Sequence, residues 1–175
     1  MEFVYTALAV MVLALLYEMV IRPVQEQKKI ITFLEQFSSF HLTVEKNTLY
    51  DYALEDSNLL ILIKVVSIPA HSCVTINSKD TWSLTWGGNP FHPGRAYPKQ
   101  RYMNELKLFL KKEFVFEKRT LKLVLLYPKT EKILRYLNES ELDIITAQKT
   151  VHGYKVTTVE WMVQDFPTLI KEETK

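Results

Sequence analysis

The amino-terminal residues form one long apolar stretch. No charged residue lies between Phe3 and Tyr17, and after Glu18 the apolar run continues to Ile21. At about 1.5 Å per helical residue, this length matches the hydrocarbon core of a bilayer. The pattern therefore predicts a transmembrane anchor over residues 1–22, in contact with the lipid bilayer through residues 3–21.

Two other interpretations of this stretch fit the sequence less well. A buried helix of a soluble protein is disfavoured because Arg22, Pro23 and the polar residues that follow end the apolar run abruptly. A secretory signal peptide is disfavoured because no basic residue precedes the run and no small-residue cleavage site follows it.

An amphipathic helix follows the anchor. Between residues 24 and 37, the apolar residues Ile30, Phe33, Leu34 and Phe37 recur at helical spacing. The rest of the chain has the length of one domain and contains no internal repeat. We therefore divide the sequence into an anchor (1–22), a juxtamembrane helix (23–40) and a domain (41–175).

Short runs of β-forming residues dominate that domain. The predicted strands are His41–Glu45, Thr48–Leu54, Leu59–Ile68, Cys73–Trp86 with an interruption at Ser78–Asp80, Leu121–Pro128, Leu142–Thr146 and Tyr154–Val156. The strand that begins at Leu59 is apolar on both faces except for Lys64, which is typical of a central, covered strand.

Two further helices complete the prediction. Pro98 suits the first turn of a helix whose buried stripe contains Leu106, Phe109 and Leu110. A capping box at Thr157 predicts a final helix that begins near Thr158 and is broken or kinked at Pro167. The order of elements predicts an α/β or α+β fold around a mixed sheet.

Charge is distributed unevenly along the chain. The protein has 22 basic and 20 acidic residues, yet residues 1–21 contain no Lys or Arg. Arg22, Lys28 and Lys29 follow the anchor, so the positive-inside rule places the carboxy-terminal domain in the cytoplasm and the amino terminus outside the cell membrane. The single cysteine, Cys73, agrees with a reducing compartment.

Most familiar catalytic patterns are absent from the sequence. The glycines match neither a dinucleotide fingerprint nor a P-loop, and no serine lies in a G-x-S-x-G turn. His71 and Cys73 have no second pair at zinc-ligand spacing, and Cys73 has no identified base. We therefore expect no cofactor and no metal.

One stretch resembles a known family. The sequence IKVVSIPAHSCVTINSKDTWSLTWGGN, followed by YPKQRYMNELKLFL, resembles the nuclease-related domain (NERD), a branch of the PD-(D/E)xK nuclease-like superfamily. The matching positions are Ile63, Ser67–Pro69, Val74–Ile76, Lys79, Trp82, Gly87 and Pro98–Gln100. The resemblance implies a restriction-endonuclease-like mixed sheet flanked by helices.

The departures from the family pattern affect its metal site. Where the family has Asp and Glu ligands before a Lys, this chain has Lys64 and Asn77 before Lys79. A second spacing, typical of the wider superfamily, aligns Asp51, Leu62 and Lys64, and it also lacks the glutamate. An amide and an ammonium cannot replace carboxylates around Mg²⁺, so the resemblance implies an inactive nuclease. A metal site would require a relocated ligand; the candidates are Glu55, Asp56 and Asp80.

Lys64 admits two interpretations. We favour a structural one, in which its ammonium reaches solvent or pairs with Asp51 or Asp80. In the other, Lys64 and Lys79 form a positive notch that contacts phosphate without cutting it.

A basic run later in the chain is interleaved with phenylalanines at 109, 114 and 116 and could contact nucleic acid or anionic lipid. We expect most of it to be a solvated helix face, since glutamates dilute its charge. The candidate binding residues are Lys64, Lys79, Lys111, Lys112, Lys118 and Arg119.

Three functional hypotheses follow. The preferred one is a membrane protein whose catalytically inactive nuclease-related domain binds an unidentified protein partner or serves as a scaffold. The alternatives are a membrane-tethered nuclease with relocated carboxylate ligands and a non-catalytic nucleic-acid-binding protein. The spatial neighbours of Lys64 and Lys79 distinguish them best, because converging carboxylates favour a nuclease.

Overall fold

The computed structural model describes residues 2–45, 49–69, 72–79, 81–86, 95–96, 102–138, 141–146 and 149–171. The chain separates into two compact units, Met1–Ser39 and Phe40–Lys175, which are described in turn. The amino-terminal unit is helical: α1 (Glu2–Leu16), a π-helical turn (Tyr17–Ile21) and α2 (Arg22–Leu34).

The helical stretch Phe3–Leu34 is long and apolar enough to cross a membrane. Near its middle, the Arg22 guanidinium bridges two glutamates one turn away on either side. It lies 2.7 Å from Glu18 and 3.1 Å from Glu26. The predicted juxtamembrane helix (23–40) is seen as α2, which ends six residues earlier at Leu34. The Phe33 and Phe37 rings meet edge to face around this end.

The second unit contains two five-stranded sheets. Its strands are β1 (His41–Val44), β2 (Tyr52–Glu55), β3 (Leu59–Ser67), β4 (Ser72–Ser78), β5 (Thr81–Trp86), β6 (Arg95–Ala96), β7 (Arg119–Tyr127), β8 (Thr130–Asn138), β9 (Glu141–Ile144) and β10 (Lys155–Thr158). Its helices are α3 (Tyr102–Lys111) and α4 (Val159–Ile170). The strand orders are β1-β2-β3-β7-β10 and β6-β5-β4-β8-β9.

Both sheets are mixed. β3, β7 and β10 run parallel in the first sheet, as do β4 and β8 in the second, while the other pairs are antiparallel. The prediction of an α+β fold with mixed strand pairing is therefore confirmed, but the strands form two sheets and not the single sheet predicted. Its finer version, a restriction-endonuclease-like fold, stays a prediction.

Two neighbouring segments of the chain lead from the first sheet to the second. β3 leads into β4, and β7 leads into β8 through the cis Tyr127–Pro128 peptide. Hydrogen bonds join these two segments between the sheets. The Ile68 amide donates to the Tyr127 carbonyl (2.8 Å), and the Thr130 hydroxyl donates to the Ser72 carbonyl (2.6 Å). The parallel pairing therefore continues across both sheets.

The main core contains side chains from both sheets and from α3. Leu62 and Val66 of β3 and Ile76 of β4 belong to it, together with Leu106 and Phe109 of α3. The opposite face of β3, which includes Ile61 and Ile63, is also fully buried. The prediction that this strand is central and covered is confirmed.

The final helix begins where the sequence indicates, but a different residue caps it. The hydroxyl of Thr158 accepts a hydrogen bond from the Trp161 amide (3.2 Å). Thr157, the predicted capping residue, is instead buried in β10. The predicted irregularity near Pro167 is a kink with non-helical backbone at Asp165.

The largest difference from the sequence prediction is β8, a nine-residue strand in a region for which no element was predicted. Other boundaries move by a few residues: β2 begins at Tyr52, and β7 begins at Arg119. Pro98, which was predicted to lie in the first turn of a helix, is outside the described residues. The described part of that helix, α3, begins at Tyr102.

Candidate functional site

Lys64 is a charged residue on a buried face. It lies on β3 with the same orientation as Leu62 and Val66, since side chains alternate along a strand. Its side chain is only 9% exposed. An ammonium in such surroundings is costly unless it has a charged partner.

Asp51 supplies the closest partner. It precedes β2, whose antiparallel pairing with β3 places it beside Lys64, and its amide donates to the Ile63 carbonyl (2.9 Å). One carboxylate oxygen, Oδ1, accepts from Lys64 Nζ (3.0 Å), and Oδ2 accepts from the Val65 amide (2.7 Å). Both oxygens of Asp51 are therefore engaged within the hairpin.

Glu105 approaches the same ammonium from α3. Its Oε2 lies 3.4 Å from Lys64 Nζ, and its side chain is 73% exposed. We call Asp51, Lys64 and Glu105 the Lys64 cluster. The prediction that Lys64 pairs with Asp51 is confirmed, and Asp80, the other predicted partner, lies outside the described residues.

The cluster distinguishes the two candidate spacings. Asp51, Leu62 and Lys64 meet in the β2–β3 hairpin, but Leu62 is fully buried in the core. Asn77 and Lys79 lie at the end of β4 in the other sheet, where both side chains are exposed. The residues of the second spacing therefore lie together at adjacent strands, whereas those of the first spacing are divided between the two sheets.

Two of the three predicted replacement ligands, Glu55 and Asp56, have other partners, and the third, Asp80, lies outside the described residues. Glu55 pairs with Lys118 at 2.6 Å, and Asp56 accepts from the amides of Asn58 and Leu59 at 2.7 Å each. The additional carboxylate is Glu105, which the sequence analysis did not select. Its position beside Leu106 of the buried helical stripe was the available signal, since that position lies at the edge of the packed face.

This arrangement has clear chemical consequences. A hard divalent cation requires several oxygen ligands at short distances. Asp51 and Glu105 both face an ammonium, so a metal would have to displace Lys64 from a buried ion pair. Within the described part of the chain, no group of three or more His, Cys, Asp or Glu residues could hold a metal.

The other candidate binding residues do not form one patch. The Lys118 ammonium bonds Glu55 and the Asp56 carbonyl (2.8 Å), and the Arg119 guanidinium donates to the Ile170 carbonyl at the end of α4 (2.9 Å). Lys111 and Lys112 lie at the end of α3, away from both of these contacts, and both are exposed.

Lys122 has a structural environment. Its ammonium donates to the Leu110 carbonyl (3.0 Å) and the Lys112 carbonyl at the end of α3, and it lies over the rings of Phe109 and Phe114. Burial is the main cause that lowers the pKa of Lys122; nearby Lys79 lowers it further.

Lys79 has two kinds of neighbour: its carbonyl accepts a hydrogen bond, and its ammonium lies near other basic side chains. The Tyr154 hydroxyl donates to the Lys79 carbonyl (3.2 Å) and accepts from Trp82 Nε1 (3.1 Å). Burial lowers the pKa of His152, and the charges of Arg135 and Lys79 lower it further. Lys64, which in the less favoured interpretation shares a positive notch with Lys79, is paired with Asp51.

Comparisons with protein-family models, with curated proteins and with solved structures found no match. The structure itself shows a mixed α+β protein with two mixed sheets and an amino-terminal helix that is apolar enough to cross a membrane.

Proposed function

We propose that this chain is a single-pass membrane protein with a cytoplasmic, nuclease-related domain that binds a partner without catalysis. The observation that carries the proposal is the Lys64 cluster: two carboxylates, Asp51 and Glu105, converge as a metal site would require, but the Lys64 ammonium occupies the point where they meet, 3.0 Å from Asp51 and 3.4 Å from Glu105. The finer fold assignment, restriction-endonuclease-like, belongs to this proposal.

The residue at the glutamate position supports the loss of catalysis. Leu62 has no oxygen to coordinate a metal, and it is fully buried among core side chains. Both carboxylate oxygens of Asp51 already accept hydrogen bonds, one from Lys64 and one from the Val65 amide, so a metal ion would have to compete with these donors. Glu105 would then be the single remaining carboxylate, and at 73% exposure it offers only a weak site for Mg²⁺, which gives up its waters reluctantly.

The membrane part of the proposal is supported by the Phe3–Leu34 helix. Its orientation is supported by the basic residues Arg22, Lys28 and Lys29, which follow the apolar run.

An exposed apolar surface supports a binding role. In the β8–β9 hairpin, Tyr136 pairs with Leu142, and Leu134 pairs with Ile144, which places the four side chains on one face. Tyr136, Leu142 and Ile144 are exposed, and β9 is the last strand of its sheet. Clustered exposed apolar residues of this kind are typical of protein-binding surfaces.

A cleavage assay tests the proposal. The full chain, purified in detergent, is incubated with single- and double-stranded DNA and RNA and with Mg²⁺ or Mn²⁺. We expect the wild type and Asp51→Asn to give the same background. Asp143→Asn is the matched control, since Asp143 pairs with Lys149 outside the cluster. Metal-dependent cleavage that disappears only in Asp51→Asn would contradict the proposal.

A metal-dependent nuclease is the second candidate. The observation that favours it is the convergence of Asp51 and Glu105 on one point. It predicts Mn²⁺-dependent cleavage that is lost in both Asp51→Asn and Glu105→Gln. The preferred proposal predicts that Glu105→Gln leaves the background unchanged.

A further inference from the structure

The end of α3 and the segment after it expose three apolar side chains. Leu108 is 59% exposed, Val115 is 94% exposed and Phe116 is 45% exposed. They lie within nine residues, whereas most large apolar residues nearby, such as Phe109 and Leu110, are fully buried. This concentration distinguishes the segment from an ordinary solvated helix face.

Basic residues flank these side chains. Lys111 follows Leu108 by three residues, so the two share one face of α3, and Lys112 lies immediately after the helix. Both lysines are exposed. Between residues 107 and 119 the sequence has five basic residues and two acidic ones, so the segment is net positive.

Contacts with the core hold the segment in place. The Phe116 ring stacks on Phe114 at 6.3 Å, and Phe114 in turn contacts Phe109 at 5.9 Å and Tyr50 at 5.8 Å. The Lys122 ammonium binds carbonyls on either side of the helix end. Val115, which is highly exposed, therefore lies on a segment that contacts with the core hold in place.

We propose that this surface, consisting of Leu108, Lys111, Lys112, Val115 and Phe116, docks on the headgroup region of an anionic lipid bilayer. Lysines at the rim are attracted by anionic headgroups, and the apolar side chains enter the boundary between headgroups and acyl chains. Nucleic acid would use the lysines and could stack on Phe116, but it offers nothing to Leu108 and Val115.

A bilayer is also the partner that the chain itself brings close. The same chain carries the Phe3–Leu34 helix, and a tether of this kind raises the effective concentration of the membrane at the domain. The inference therefore rests on the membrane anchoring in the proposed function. It is independent of whether the domain is a nuclease.

The experiment uses the full chain in nanodiscs of phosphatidylcholine alone or with 30% phosphatidylserine, a composition chosen for the assay. An environment-sensitive fluorophore is attached at Val115→Cys in a Cys73→Ser background. The matched control is Val163→Cys, an exposed valine on α4. Nitroxide-labelled lipids report depth by quenching, and hydrogen exchange of residues 112–117 in the unsubstituted protein is an independent readout.

We expect the label at position 115 to shift to the blue and to be quenched in discs with phosphatidylserine, while the label at 163 stays aqueous. At about 1 kcal/mol per lysine, Lys111→Gln with Lys112→Gln lowers the docked fraction relative to the free one by about thirtyfold. Amide exchange at 112–117 should slow only in the anionic discs.

Several results would overturn the inference. The labels at 115 and 163 could respond alike, or the response could be the same in neutral discs and unaffected by the lysine substitutions. A response to added oligonucleotide but not to phosphatidylserine would assign the surface to nucleic acid. Failure of the chain to insert into nanodiscs would instead contradict the anchor in the proposed function, so the two failures are distinguishable.

Discussion

Removal of the Asp51 charge tests whether the Lys64 cluster is a buried ion pair. In Asp51→Asn the amide oxygen can still accept from the Val65 amide, but Lys64 loses its 3.0 Å counterion. Breaking a fully buried pair costs about 3–5 kcal/mol. Asp51 is 35% exposed and Glu105 remains near the ammonium, so we expect a loss of about 2 kcal/mol of unfolding free energy.

The complementary substitution should cost less. Lys64→Met removes the buried ammonium and retains an unbranched apolar side chain, while Asp51 keeps its Val65 hydrogen bond and its contact with water. Removal of one partner is costly where the other charge stays buried, but Asp51 is 35% exposed and can remain hydrated. We therefore expect Lys64→Met to cost less than about 1 kcal/mol, and the double variant Asp51→Asn with Lys64→Met to resemble it.

Thermal unfolding of the full chain in detergent measures these differences through tryptophan fluorescence, since Trp82 is buried in the core. A loss of 2 kcal/mol corresponds to a midpoint about 6 °C lower. The control is Asp143→Asn, whose pair with Lys149 is more exposed and should be worth at most about 1 kcal/mol. The reasoning is refuted if Lys64→Met destabilises more than Asp51→Asn, or if Asp51→Asn matches the control.

Three further predictions concern the rest of the domain. Tyr154→Phe should lower the unfolding free energy by about 1–3 kcal/mol, because the indole N–H of buried Trp82 loses its acceptor. Chemical denaturation measures the loss, and a loss below about 0.5 kcal/mol would count against this prediction. Thr158→Ala should cost about 1 kcal/mol through loss of the α4 cap, and Thr158→Ser, which keeps the hydroxyl, should recover most of it in the same measurement. His152 should titrate below its ordinary pKa of 6.5 in an NMR titration, and Lys79→Gln should raise that midpoint; an unchanged midpoint would exclude the influence of Lys79.

The direction of the His152 effect on stability follows from its lowered pKa. As the pH falls below 6.5, the unfolded chain binds the proton more readily than the folded protein does. The unfolding free energy should therefore decrease with falling pH in the interval between 6.5 and the folded-state pKa, and His152→Gln should remove that component.

Local sequence patterns indicated most elements of the domain correctly. The β3 run LLILIKVVS is apolar at nearly every position, and only a central strand buries both of its faces. Thr158 lies next to the predicted cap because hydroxyl residues at 157 and 158 both suit a helix start. These features depend on neighbours in the sequence.

Features set by distant contacts could not be predicted in this way. The sequence TEKILRYLN has apolar residues at spacings that also suit a helix, and it becomes β8 because it pairs in parallel with β4 after the chain turns at Pro128. Glu105 likewise meets Lys64 only because α3 packs on β3. Sequence spacing gave Asp51 as a partner, since a hairpin is a local structure, and could not give Glu105.

Manganese binding tests the central claim most directly, because Mn²⁺ favours the same oxygen ligands as Mg²⁺ and is detected by electron paramagnetic resonance. We predict that titration of the wild-type chain with Mn²⁺ leaves the ion free, with a spectrum equal to that of Asp51→Asn. A bound Mn²⁺ signal in the wild type that disappears in Asp51→Asn and weakens in Glu105→Gln would contradict the account.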